Sequence, residues 1–335
     1  MYPRMGKRIC LLFDGTWNKR DDHTNVRAMR DAIFAPQGSE DAAQPVWYDE
    51  GVGTHWYDKV RGGLFGMGLS RNLRQGYERL CSKHREGDEI FVFGFSRGAY
   101  TARSLVGMVR KCGVLTAPDE NEVAAAYELY RDKEVAPKDE KAERFRRERA
   151  REVRVKFIGV WDTVGSLGIP GNTLPFSRKH YQWHDTALSK IVDHAYHAIA
   201  TDEDRKDFAP TLWTVAKPQN KEVQQVWFIG AHSDVGGGYK DGRLQRFALR
   251  WMQDKAEACG LVLKDKASVG PDLHRAPQHD PYGKMLLGIY KMLHRRHPRE
   301  FGKAANETVD PSVWRRWRAE NYRPEPLQNH PDKPV

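Results

Sequence analysis

Between Asp88 and Arg103 the sequence reads DEIFVFGFSRGAYTAR, and no other stretch limits the fold as much. Ile90, Phe91, Val92 and Phe93 form a short, uninterrupted, β-prone apolar run of the kind expected for a buried strand. Gly94-Phe95-Ser96-Arg97-Gly98 then turns the chain, and Ala99–Val106 has the composition of a helix. A serine at the apex of such a turn has its hydroxyl pushed outward. Its neighbours two positions away need almost no side chain if strand and helix are to pass closely, and both are glycine. A bare G-x-S-x-G is common, and the serine of a tight turn can simply cap the helix that follows. The apolar run before it and the helix former after it favour the other reading, in which Ser96 is a nucleophile.

A nucleophilic serine needs an imidazole to take its proton and a carboxylate to orient and stabilise that imidazole. In the α/β-hydrolase fold these follow in the order Ser, Asp or Glu, His, each at the carboxyl end of a strand. Of the thirteen histidines, His232 stands directly after a strong apolar strand, Val223–Ile229, and inside the glycine-rich Gly230–Tyr239, so it is the expected general base. Asp162 follows the strand pattern Val153–Val160. Asp202 follows His194–Thr201, whose few residues fit a strand or a helix equally. Asp202 is expected as the acid ahead of Asp162, because it ends the segment just before the histidine's strand. Asp234 is too near His232 in sequence to orient it from the far side and is expected to line the site. His194, His197, His274, His279, His294 and His297 lack a matching strand context and are assigned to surface or core.

Arg8–Phe13 is a further strand candidate and ends in Asp14-Gly15-Thr16-Trp17-Asn18. A phosphatase of the haloacid dehalogenase type would need a carboxylate two positions before Asp14, where this chain has Leu12. In the hydrolase reading, the Gly15 and Thr16 amides join that of Arg97 as oxyanion-hole donors, with Asp14 lining the site. The other reading is an ordinary turn capped by Asp14. A His/Asp metal site built from Asp14, Asp162, Asp234 and His232 has no ligand spacing that demands it, and no cofactor is expected.

The remaining segments fill out an α/β pattern. Helices are expected at Thr24–Phe34, Arg71–His84, Glu120–Arg131, Leu244–Ala258 and near Met285–His294, and a short strand at Val46–Tyr48. Glu50–Ser70 is rich in glycine but has no G-K-[ST] and no ordered G-x-G-x-x-G, so a mobile loop near the site is expected rather than a nucleotide cradle. Asn172–Ile191 reads as loop. Glu134–Arg154 is a charge run, by default a solvated helix or excursion. Within 118–152 it is also the candidate for a lid resting on anionic headgroups. The expected architecture is a mostly parallel central sheet with helices on both faces, one catalytic domain over 8–327 and a Pro-rich tail at 328–335.

Charge and cysteines narrow the partners. Lys and Arg total 55 against 45 Asp and Glu, a formal +10 that favours anionic partners in general. The charge by itself does not choose among phospholipid headgroups, an acidic protein surface and nucleic acid. Cys10, Cys81, Cys112 and Cys259 are far apart with no C-x-x-C, as reduced buried thiols would be. The apolar run near the N-terminus is too short for a signal peptide core, and no run approaches the ~18 apolar residues of a membrane span. The chain is expected to be made as a soluble cytoplasmic protein, with any export by a route that cleaves no leader.

With these residues in place, LLFDGTWN, GFSRGAYTAR, GVWDTVGS and WFIGAHSDVGGGY, in that order, resemble an α/β-hydrolase domain family long catalogued as of unknown function. Its characterised members are phospholipase effectors of bacterial type VI secretion. The closing VDPSVWRRWRAENYRPEPL is similar as well, so the resemblance runs from about Arg8 to Leu327. It implies a triad of Ser96, His232 and an aspartate between them, which both Asp202 and Asp162 satisfy. It further implies a glycerophospholipid ester as substrate, and a secretion-apparatus or immunity protein as partner. The chain is shorter than those effectors, which carry additional membrane-binding domains. A soluble ester substrate stays open for that reason, as does a catalytically silent binding module on the same scaffold.

Overall fold

The computed structural model describes residues 6–15, 23–34, 43–51, 62–165, 186–284 and 295–334. Alternation along the strands builds two cores on opposite faces of one sheet. In β1 (Arg8–Phe13), Cys10 and Leu12 join one core while Ile9, Leu11 and Phe13 join the other. In β3 (Glu89–Phe95), Phe91, Phe93 and Phe95 separate in the same way from Ile90 and Val92. A period of two with apolar residues on both sides is the signature of a strand covered on both faces, which suits a parallel sheet.

Among the described residues that sheet has seven strands in the order β2-β1-β3-β6-β7-β8-β9, every neighbouring pair parallel. The other strands are β2 (Val46–Asp49), β6 (Val155–Trp161), β7 (Val192–Ala200), β8 (Glu222–Phe228) and β9 (Glu307–Val309). Helices α1 (Asn25–Ala32), α7 (Gln245–Ala258) and α8 (Pro311–Ala319) cover the first face with Met29, Met252 and Val313. Helices α2 (Gly62–Lys83), α3 (Arg97–Cys112) and α4 (Glu120–Arg131) cover the second with Tyr77, Met108 and Val123. The expected α/β-hydrolase-like architecture is what forms. No helix among the described residues is long and apolar enough to cross a membrane, and all four cysteines are buried and free.

Several segments differ from expectation. The undecided His194–Thr201 is strand up to Ala200, within β7, because β6 and β8 bond it on both edges. The glycine-rich stretch before Ser70 is not wholly loop, since α2 already begins at Gly62. Glycine costs a helix about 1 kcal/mol per residue, yet helix propagation is cooperative and the Leu73–Tyr77–Leu80 stripe anchors it. Residues 52–61, most of Asn172–Ile191 and the expected helix near Met285–His294 lie outside the described residues. Strand β9, only three residues long, was not anticipated. The Pro-rich tail folds back, with His330 against the rings of Phe301 and Trp314 and the Trp317 indole N–H donating to Pro334 O.

The lid expectation for 118–152 is corrected. Helix α5 (Glu140–Arg149) runs into the two-residue strand β5 (Ala150–Arg151), which pairs with β4 (Val114–Leu115) just beyond the C-terminus of α3. Arg146 Nη1 donates to Lys111 O at 3.0 Å, and Cys112 Sγ donates to Ala126 O at 3.1 Å. Ser96 precedes the other end of this 16-residue helix, roughly 24 Å away. The charge run is therefore a solvated face at the wrong end of α3 to cover the serine.

Candidate active site

Strand β3 ends at Phe95, and Ser96 turns the chain with φ 57° and ψ −120° before α3 begins at Arg97. That conformation is strained for a residue with a side chain, by about 1–3 kcal/mol. The flanking glycines show why the strain persists. A Cβ on Gly94 would lie 2.6 Å from Gly98 O, and one on Gly98 would lie 2.2 Å from Phe13 O. Helix α3 thus rests directly on the ends of β1 and β3. The amide of Ser96 donates to Trp161 O at 3.0 Å, which ties the turn to the end of β6.

Two other strand ends bring their side chains to this serine. Asp162 follows β6 in a turn with φ 39°, and His232 opens the short helix α6 (His232–Gly236) after β8. His232 Nε2 lies 2.8 Å from Ser96 Oγ, and its Nδ1 lies 2.6 Å from Asp162 Oδ2. An ionised carboxylate only accepts, so the Nδ1–H tautomer follows and leaves Nε2 to receive the serine proton. Phe95 packs against the imidazole at 4.7 Å and Phe208 meets it edge-on at 5.0 Å. The His232 amide donates to Glu203 Oε2 at 3.3 Å.

Asp162 is completely buried yet fully bonded. Its Oδ1 accepts from Ala200 N at 2.9 Å and Arg299 Nη1 at 2.6 Å, and its Oδ2 from Arg299 Nη2 at 2.9 Å as well as from His232. Burial alone pushes its pKa up. The Arg299 charge, with hydrogen bonds from Arg299 and His232, overcomes this and holds the carboxyl well below the usual range. For His232, burial lowers the pKa and Asp162 and Glu203 oppose it, with a net fall that leaves the imidazole neutral at neutral pH.

The preference for Asp202 as the carboxylate beside the histidine is corrected by these distances. Asp202 Oδ2 instead accepts from Tyr322 Oη at 2.6 Å and Gly230 N at 2.7 Å, bracketing the ends of β7 and β8. Removal from water pushes its pKa up to about 6, against those two hydrogen bonds. Asp234 also faces away from His232. It accepts from Ala231 N at 3.1 Å and from His279 Nδ1 at 2.7 Å, and so braces α6 rather than lining the serine.

Asp14 is 2% exposed and accepts from Thr24 Oγ1 at 2.5 Å, Tyr48 Oη at 2.7 Å and Gly15 N at 2.7 Å. The amide of Gly15 is thereby committed to Asp14, which corrects its expected place as an oxyanion donor. Thr16 lies outside the described residues. Arg97, the first residue of α3, keeps its amide at the helix N-terminus beside Ser96, and burial lowers its guanidinium pKa to about 10. Asp14, Asp162, Asp234 and His232 do not converge as metal ligands, and the described residues hold no group of three or more His, Cys, Asp or Glu that could bind a metal ion.

Arg299, Glu203 and Phe208 were not anticipated at all. Phe208 sits in a polar stretch without periodicity, and Arg299 is 137 positions from the carboxylate it grips.

Comparison with known proteins gives three kinds of likeness. The model of the family described as T6SS phospholipase effector Tle1-like, catalytic domain, matches residues 7–255. The uncharacterized protein YEL023C of Saccharomyces cerevisiae is 29% identical over 235 residues, which is 62% of this chain and 33% of that protein. The chain thus spans about a third of the length of this curated relative. An uncharacterized protein from Pseudomonas aeruginosa superposes with a TM-score of 0.44 at 16% identity, over 88% of this chain and 51% of that one. The Tle1 effector bound to the VgrG spike of the type VI secretion system gives 0.41 at 19% identity, over 71% and 52%. The butyrate-bound esterase Est2 of Thermogutta terrifontis gives 0.39 at 16%, over 78% and 86%.

Proposed function

The chain belongs to the family of Tle1-like phospholipase effector catalytic domains of type VI secretion, and from that premise we propose that it is a serine hydrolase cleaving carboxylic esters through an acyl-enzyme. The observation that carries the proposal is the relay itself, Ser96 Oγ to His232 Nε2 at 2.8 Å and His232 Nδ1 to Asp162 Oδ2 at 2.6 Å.

In this mechanism Ser96 Oγ attacks the acyl carbonyl while His232 Nε2 takes its proton. Asp162 stabilises the resulting imidazolium without itself becoming protonated. The tetrahedral oxyanion is received by the Arg97 amide at the N-terminus of α3. As the intermediate collapses, His232 returns the proton to the departing alcohol. Water then attacks the acyl-serine while His232 Nε2 takes its proton, and as that intermediate collapses His232 returns the proton to Ser96 Oγ and the fatty acid leaves. Family membership favours the acyl ester of a glycerophospholipid as substrate, and the +10 charge suits an anionic interface. A spike protein of the secretion apparatus is the corresponding partner proposal, by analogy with the Tle1 effector solved on VgrG. A silent binding module would not need serine and histidine at 2.8 Å, so that separation favours turnover.

The test needs no substrate. A serine-reactive fluorophosphonate is expected to label the wild type, with labelling lost in Ser96→Ala and His232→Ala while both retain the wild-type circular dichroism spectrum. Equal labelling of wild type and Ser96→Ala would sink the proposal. A panel of short-chain esters and anionic phospholipid vesicles then decides the substrate class.

A further inference from the structure

We infer that Arg299 is a positioning residue for the proposed reaction: its guanidinium fork grips both oxygens of Asp162, fixes that carboxylate beneath His232 and sets how readily the imidazole takes a proton. This rests on the serine-hydrolase reading above.

The geometry is specific. The Arg299 side chain is 2% exposed and that of Asp162 is 0% exposed, so the pair is shut away from water. Nη1 reaches Oδ1 at 2.6 Å and Nη2 reaches Oδ2 at 2.9 Å, the bidentate arrangement that a planar guanidinium makes and an ammonium does not. The same two nitrogens donate to Ala200 O and Phe208 O, each at 2.8 Å. One side chain thus fastens the turn after β6, the end of β7, and the 3-10 turn Lys206–Phe208, whose Phe208 ring meets His232. It arrives from the segment before β9, beyond the 7–255 covered by the family match.

Asp162 Oδ2 is shared between Arg299 Nη2 and His232 Nδ1. A carboxylate facing only a histidine would spend its whole charge on stabilising the imidazolium. Here a permanent cation competes for the same oxygen, which discourages protonation of His232 before the serine proton is delivered.

The other charged or titratable groups around the pair have ionic or hydrogen-bond partners of their own, and of these Glu203 also accepts the His232 amide. Glu203 is held by Arg205, and Asp204 by Arg296. On β7, His197 accepts the Thr163 amide through Nε2 and faces Gln225 through Nδ1, while burial lowers its pKa to about 3, so it stays neutral. On α3, Arg103 lies over Trp213 and donates to Thr211 O. Removing the Arg299 charge would therefore leave His232, once protonated, as the one cation bonded to Asp162 among the described residues. The base would hold its proton to higher pH.

The experiment uses the full chain as wild type, Arg299→Gln and Arg299→Lys, with His232→Ala to assign the imidazole signal. Fluorophosphonate labelling is followed against pH, and the His232 imidazole is titrated by nitrogen NMR. Arg299→Gln is expected to move the acid limb of labelling and the imidazole titration upward together, by about one pH unit, and to lower the plateau rate about tenfold or more. Arg299→Lys keeps the charge but not the fork, so its limb stays near wild type while its plateau falls.

An unmoved limb and titration in Arg299→Gln, even with a lower Tm, would overturn the inference and leave the arginine a structural ion pair. If Arg299→Gln does not fold, Arg299→Lys decides: a full plateau rate overturns the fork, and a reduced plateau at an unmoved limb supports it. A folded wild type that is never labelled at Ser96 defeats the hydrolase reading separately, and the NMR titration still decides what Arg299 does to His232.

Discussion

Two aspartates that look alike in sequence end up in opposite electrostatic situations. Asp162 is ionised by the guanidinium and imidazole around it, whereas Asp202 is kept closer to its neutral form by burial. Asp162→Asn should force the wrong imidazole tautomer, lowering kcat about 10⁴-fold in an ester assay, and should also lower the Tm, because the buried Arg299 guanidinium loses its counter-charge. Asp202→Asn should change kcat little, and its effect should appear in stability instead. The folded-state pKa of Asp202 is raised to about 6 from an ordinary value of 3.8. Its contribution to stability is therefore fully present below about pH 4 and lost as pH rises through about 6. Thermal melts between pH 4 and 7 should show a flatter decline in Asp202→Asn than in wild type. An identical pH dependence in the two would contradict the assignment.

At the scale of elements, the strand–turn–helix around Ser96 was legible because its causes are local: apolar alternation, a glycine on each side, a helix former after. The clash distances at Gly94 and Gly98 put a physical limit on that pattern. Gly98→Ala is expected to cost about 2–3 kcal/mol in urea unfolding, because backbone oxygen at Phe13 cannot yield as a side chain would. The charged helix α5 was equally visible, but its place was not. Pairing of β5 with β4 decides that, and it carries α5 to the far end of α3. Reversing the exposed Arg144 and Arg147 to glutamate should accordingly leave fluorophosphonate labelling at the wild-type rate. A large loss would revive the lid.

At the scale of the whole molecule, residues after the family match complete both the core and the site. Strand β9 closes the sheet beside β8, while Val313, Trp317 and Leu327 join the first core. Arg299 from the same region meets Asp162 in the middle of the molecule. A chain stopped at Lys255 should thus lack a cooperative melt by circular dichroism, despite retaining Ser96, His232 and Asp162. A transition at the full-length Tm would show that the C-terminal region is dispensable.

By itself the sequence placed Ser96 and His232 just past strand ends of a parallel sheet, since each placement follows from short-range pattern: period-two strands, turn glycines, and polar residues at strand ends. Tertiary structure alone decided which aspartate faces the imidazole. Both candidates end adjacent strands, and the choice turns on a guanidinium 137 positions away that lowers the cost of burying one carboxylate and not the other. Such a pairing depends on how strands are ordered in space. No periodicity or local spacing carries that information.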